Sequence, residues 1–184
     1  MKKVICILIV IMFNSACLGM NEIISHNQRL IKEKRIRLSS NAKPNDKLIV
    51  VTCMDTRIDP YTLFGLKAGE AHILRNAGGI VTEDTMRSIV LSMQLLGTNQ
   101  VMIIEHTKCG LLGLNNKKLR ADLINKFKTD VVTPEQFFGS DDLKENIQNQ
   151  VKKVRNHSWI PKNAVIKGFI LNSNTGALSE IKVK

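Results

Sequence analysis

Leu48-Ile49-Val50-Val51-Thr52-Cys53-Met54-Asp55-Thr56-Arg57 is the stretch on which the fold turns. Its first four residues form an unbroken apolar run, three of them β-branched. A strand with one wet face alternates apolar and polar residues; a continuous run predicts a strand buried on both faces, as in a parallel sheet. The run ends at Cys53, so that thiol falls at the carboxyl end of a strand. Working outward, Ala71–Arg75, Val101–Ile104 and Val165–Leu171 read as further strands, and Leu178–Ile181 as a terminal antiparallel one. Between them lie a short helix from Pro60 to Leu66 and a longer one to Leu96, capped by Thr82 with Glu83 and Asp84 in its first turn and stopped by Gly97. The polar stretch from Asn115 to Asp130 is helix-compatible, Val131 to Ser140 reads as a loop, and Asp141 to His157 as another helix. Asn76–Gly79 and Asn172–Gly176 read as turns. At the front, residues 21–38 carry Ile24, Leu30, Ile31 and Ile36 at helical spacing, followed by a polar linker over 39–46 that contains Pro44. Strands alternating with helices predict an α/β sheet with right-handed crossovers.

The chemistry gathers at two strand ends. Cys53-x-Asp55-x-Arg57 follows the first strand, and His106-x-x-Cys109-Gly110 follows Val101–Ile104. In open α/β sheets the carboxyl edge is where sites are built. Two thiolates and one imidazole suit Zn2+, and three protein ligands leave its fourth position open, as catalytic zinc requires. Such a site holds hydroxide at neutral pH, a nucleophile for small electrophilic carbon such as CO2. Asp55, kept ionised by Arg57, is placed to orient that hydroxide; released from Arg57, it can instead bind the metal and close the site. The competing reading pairs Cys53 with Cys109 as a disulfide, which has no use for His106, Asp55 or Arg57.

Composition bounds the rest. The chain has 184 residues and a hydrophobic fraction of 43%, enough for a single catalytic domain over 21–184. The net charge of +11 is spread along the chain, and one Trp with one Tyr leaves few platforms for stacking bases, so nucleic acid is not expected as a partner. Met1-Lys2-Lys3, the apolar run Val4–Phe13 and the small residues to Gly19 have the layout of a secretory signal peptide over 1–19. The run is short for a bilayer span, so no stable membrane insertion is expected once it is removed. Export, to a periplasm, is the expected localisation. Lipid attachment through Cys17 and, with a different start, a cytoplasmic chain are the alternatives.

Taken together, Cys53-x-Asp55-x-Arg57, Arg75-Asn76-Ala77-Gly78-Gly79 and His106-Thr107-x-Cys109-Gly110 resemble the β-class carbonic anhydrases, closely over about residues 45–114. Gly168-Phe169 and Thr175–Leu178 are similar to the family's compact prokaryotic branch. The resemblance implies a central four-stranded parallel sheet with an antiparallel edge strand, flanked by helices. It implies one zinc per subunit on Cys53, His106 and Cys109, Asp55 and Arg57 as a catalytic dyad, and substrate contacts from Gly110, Ala77 and Gly78. It also implies a homodimer or tetramer hydrating CO2 to bicarbonate. Two departures stand out. Lys108 sits where the family often has Asp or Asn, and its side chain is expected to face solvent. His72 replaces an aromatic pocket residue of plant-type members, so it is a candidate proton shuttle for a neighbouring subunit, or else a half-buried pocket-lining imidazole. Hydrolysis of CS2 or COS on the same fold, and a non-catalytic exported zinc protein, are the alternative functions.

Overall fold

The computed structural model describes residues 19–36, 38, 41–131, 134 and 136–183, in two units, one up to Leu38 and one from residue 39 on. The predicted signal peptide, apart from Gly19, lies outside the described residues. In the first unit, α1 spans Met20–Lys32, and the Gly19 N–H donates to the Glu22 carboxylate at 2.6 Å. The helix stops earlier than its apolar spacing predicted. Lys34 takes the left-handed conformation (φ 54°), and the N–H groups of Lys34 and Arg35 return to the carbonyls of Ile31 and Leu30. That is a Schellman closure with lysine in the place glycine usually takes, which explains why no composition signal marked it.

The second unit is built on β1 (Leu48–Cys53), β2 (Ala71–Asn76), β3 (Gln100–His106), β4 (Val165–Leu171) and β5 (Leu178–Ile181). They form one sheet in the order β2-β1-β3-β4-β5, parallel through the first four, with β5 antiparallel at the edge. After β1 the chain moves to one side for β2, then crosses through α3 (Glu83–Leu96) to the other side for β3. The carboxyl edge between β1 and β3 is therefore a topological switch point, the crevice where such sheets bind ligands. The other helices are α2 (Pro60–Phe64), α4 (Asn116–Phe127) and α5 (Leu143–Arg155).

The apolar run works as predicted: Ile49 to Cys53 are all buried. Ile49 and Val51 face one core with Ile89 and Met93 of α3 and Ile147, Val151 and Val154 of α5. Val50 faces the other core with Ile104, Leu171 and Ile58, flanked by Leu63 and Phe64 of α2. The Thr82 hydroxyl caps α3 by accepting from Thr85 N–H, and Gly97 closes it at φ 76°. The helices predicted over Asn115–Asp130 and Asp141–His157 are shorter at both ends. Asn115 and Asp142 act as their N-caps, and Lys128 leaves α4 in the left-handed conformation.

Candidate metal centre

Cys53 ends β1, His106 ends β3, and Cys109 follows in the turn beyond. One donor atom from each of the three lies within 4.8 Å of the others. His106 is 1% exposed, and its Nδ1 pairs with the Thr107 carbonyl at 2.9 Å. A carbonyl only accepts, so Nδ1 carries the hydrogen and Nε2 is left with its lone pair. Nε2 is buried and, among the described residues, has no hydrogen-bond partner. A buried polar atom left so is costly unless something fills its valence; a lone pair facing two sulfurs fits a zinc ion. Cys53 and Cys109 are both free, so the competing disulfide between them is not formed.

The electrostatics suit a cation. Burial opposes ionisation of Cys53, but the His106 imidazole and the backbone N–H groups of Asp55 and Gly78 outweigh it and bring the thiol down to about 7. Burial pushes Cys109 up, and the charge of Cys53 adds to the push. Cys53 also raises His106. Burial and the neighbouring sulfur both oppose a charge on Cys109, and a divalent cation between the two sulfurs would favour both thiolates.

Asp55 lies beside this cluster, held by Arg57 at three points. Arg57 Nε and backbone N–H donate to Oδ1 at 2.9 and 3.0 Å, and Nη2 donates to Oδ2 at 2.7 Å. Arg57 holds the carboxyl well below the usual carboxylate range. Nη2 also donates to the Lys108 carbonyl at 3.1 Å, which ties the β1 loop to the β3 loop. Lys108 is exposed as expected, but its ammonium donates to Asn174 at 3.0 Å. Ser173 N–H donates to the Thr107 hydroxyl at 3.0 Å, so the Asn172–Gly176 turn braces the loop from behind.

The turn after β2 is packed into the base of the site. Asn76 accepts from Ile80 N–H and donates to the Ile80 carbonyl, closing Ala77–Gly79 into a 3-10 turn. A Cβ on Gly79 would stand 2.9–3.0 Å from Ile104 O, Cys53 N and Thr52 C, so only glycine lets the turn meet the ends of β1 and β3. Gly78 is buried with its N–H serving the Cys53 sulfur, whereas Ala77 is exposed. Gly110 is exposed, and a Cβ there meets nothing within 4 Å.

His72 is not in this cluster. It sits near the start of β2 opposite Ile49, four residues before Asn76, the partner of Cys53; that is about 13 Å along a strand. Its Nδ1 pairs with Ser92 Oγ at 2.6 Å and its Nε2 with the Ala42 carbonyl at 3.2 Å. Sequence reasoning missed Glu105, which is 3% exposed and accepts from Asn146 of α5 at 2.9 Å. Burial raises its carboxyl to about 7. A charged residue inside an apolar strand, one step before a metal-ligand candidate, was the available signal.

The carbonic anhydrase family pattern matches residues 48–178. A "Beta-carbonic anhydrase 1" of Mycobacterium tuberculosis is 32% identical over 139 residues, covering 75% of this chain and 83% of that protein. The crystal structure of a carbonic anhydrase from Streptococcus mutans superposes with a TM-score of 0.80 at 33% identity, covering 88% of this chain and 96% of that one. A "Carbon disulfide hydrolase" of Acidithiobacillus thiooxidans is 33% identical over 165 residues, covering 80% of this chain and 83% of that protein.

Proposed function

The chain belongs to the β-carbonic anhydrases, zinc lyases of the carbonate dehydratase class, and from that footing we propose that it converts CO2 and water reversibly to bicarbonate and a proton. The observation that carries this reading is the position of Asp55: its Oδ2 stands 3.9 Å from the bare Nε2 of His106 while Arg57 grips both its oxygens.

Cys53, His106 and Cys109 would hold zinc, which would supply a Lewis acid able to acidify water toward neutral pH. An ionised Asp55 can only accept hydrogen bonds. Oδ2, on the side facing the cluster, accepts the hydrogen of the attacking water and turns its lone pair toward the carbon of CO2. Arg57 keeps Asp55 ionised and grips both its oxygens, which would hold the acid back from joining the ligand set. The N–H of the exposed Gly110 is assigned to a bicarbonate oxygen, with Ala77 and Gly78 as the further proposed substrate contacts.

Stopped-flow CO2 hydration with zinc determined on the same sample tests the reading. One zinc per chain, with turnover that is lost on its removal and in Asp55→Ala, is the expected result. Bound zinc without turnover from neutral to alkaline pH would overturn it.

Hydrolysis of CS2 or COS is the second reading, favoured by the similarity to the Acidithiobacillus enzyme. It releases hydrogen sulfide rather than bicarbonate; sulfide release from CS2 measured beside CO2 hydration separates the two. Metal storage alone gives Asp55 and Arg57 no task.

Export with loss of residues 1–19 is part of the proposal, and N-terminal sequencing of the secreted chain tests it against attachment through Cys17 and against a cytoplasmic chain. A homodimer or tetramer is proposed likewise, to be read by light scattering. Among the described residues no helix is long and apolar enough to cross a membrane. A shuttle role for His72 requires the ring to leave Ser92 and Ala42 and to serve another subunit; it stands if His72→Ala slows turnover and imidazole buffer restores it, and falls if turnover is unchanged.

A further inference from the structure

Arg75 is the next-to-last residue of β2, paired in register with Thr52. Its Nε donates to the Cys53 carbonyl at 3.0 Å and its Nη2 to the Asp55 carbonyl at 2.7 Å. Between those two carbonyls, Met54 N–H donates to the Asn76 carbonyl at 2.8 Å. Asp55 N–H turns back onto Cys53 Sγ at 3.4 Å. From sulfur donor to carboxylate, the Arg75-Asn76 pair thus engages the Cys53 carbonyl, the Met54 N–H and the Asp55 carbonyl, the last shared with Ile58 N–H at 2.9 Å. A guanidinium presents its donors in a rigid plane, so carbonyls two residues apart can both meet it only in one backbone shape. Charge-assisted bonds of this kind are about twice as strong as neutral ones. Arg75 is itself exposed, so packing of its side chain into the core does not account for it.

We propose that Arg75 is a positioning residue: it fixes the backbone from Cys53 to Asp55, and through it the angle between the Cys53 thiolate and the Asp55 carboxylate. The inference rests on the proposed site but not on the proposed substrate. Without Arg75, the Cys53 carbonyl loses its side-chain donor and the Asp55 carbonyl keeps only Ile58 N–H, with Asn76 still on Met54 N–H and Asp55 N–H still on Cys53 Sγ. The carboxylate then samples directions outside the Arg57 clamp, including toward the ligand atoms.

The test uses the full chain loaded with zinc, and separately with Co2+, whose visible spectrum reports ligand geometry. Arg75→Ala is expected to bind one metal per chain and keep its far-UV circular dichroism. Its cobalt spectrum shifts, its zinc affinity in competition with a chromophoric chelator falls about 10-fold or more, and kcat falls about 10- to 100-fold with KM within about twofold, the range for loss of a group supporting metal ligands. Arg75→Lys, whose ammonium reaches one carbonyl at a time, is expected to fall between. A wild-type cobalt spectrum and wild-type kcat in Arg75→Ala would overturn the proposal. So would an unfolded Arg75→Ala beside an Arg75→Lys with unaltered spectrum and kcat, because the role would then be structural. If the wild type hydrates no CO2, the function reading fails, while the spectra and chelator competition still decide Arg75.

Discussion

Arg57 grips Asp55 by both oxygens, Nε on Oδ1 at 2.9 Å and Nη2 on Oδ2 at 2.7 Å, and the same Nη2 reaches the Lys108 carbonyl at 3.1 Å. One guanidinium therefore sets the acid of the first loop against the backbone of the second. The oxygen that Nη2 holds is the one 3.9 Å from His106 Nε2, so the clamp fixes the carboxylate beside the cluster.

Removing that grip should be visible in titration. Asp55 lies below the usual carboxylate range because Arg57 favours its charged form. A depressed carboxylate contributes stability above its unfolded value, which is lost as pH falls through the folded value. In Arg57→Ala the Asp55 carboxyl is expected to rise toward the ordinary range, read by carbon NMR of the side chain, and the acid unfolding midpoint to move up in pH. Turnover at neutral pH is expected to fall by about 10- to 100-fold. An Asp55 that titrates as in the wild type would refute the clamp.

Metal binding should depend on all three donors. Cys109→Ser replaces one sulfur of the Cys53, His106, Cys109 group. Zinc affinity, measured by chelator competition, is expected to weaken on the order of 100-fold or more, since each ligand carries a large share of the binding free energy. Near-wild-type affinity in this variant would show that the metal sits elsewhere.

Gly79 and Gly97 both adopt positive φ, 72° and 76°, but only Gly79 lies against backbone. Gly79→Ala puts a methyl 2.9–3.0 Å from Ile104 O, Cys53 N and Thr52 C, none of which can move cheaply. A loss of about 2–4 kcal/mol in urea unfolding is expected there. Gly97→Ala meets nothing within 4 Å and is expected to cost about 1 kcal/mol, the conformational penalty alone. Equal losses at the two positions would contradict the close approach.

Glu105 predicts a pH effect of the opposite sign to Asp55. Its carboxyl is raised by burial from 4.5 to about 7, so the folded state binds the proton more tightly than the unfolded one. Stability then falls as pH rises from about 4.5 to about 7, by an amount on the order of a few kcal/mol. Glu105→Gln keeps an acceptor for Asn146 and removes the charge; its thermal midpoint is expected to gain on the wild type at pH 8 relative to pH 5. A parallel pH profile for the two proteins would rule this out.

Much of the sheet was legible because the cause was local. The apolar run before Cys53 specified a strand buried on both faces, and Thr82 and Gly97 marked the ends of α3 by their own hydrogen-bonding and conformational habits. The early stop of α1 was not legible, because Lys34 takes the left-handed turn without the residue type that usually announces it. Within the site, Cys53, His106, Cys109, Asp55 and Arg57 were legible from residue type and spacing. Arg75 appeared only as part of a string, and Glu105 with Asn146 not at all, because their partners lie 20 and 41 residues away in the chain.

By itself, then, the sequence determined which groups are present and which strand ends carry them: donor chemistry and hydrophobic period are properties of single residues and their near neighbours. Only the tertiary structure decided that β2 folds to one side of β1 and β3 to the other, which brings Cys53, His106 and Cys109 within 4.8 Å. It also decided that the Nε2 of His106 is stripped of water with its lone pair unpaired, and that Arg57 and Arg75 approach Asp55 through its carboxylate and its carbonyl. Those relations are set by strand order and packing across long stretches of chain, for which no local pattern of residues carries a signal.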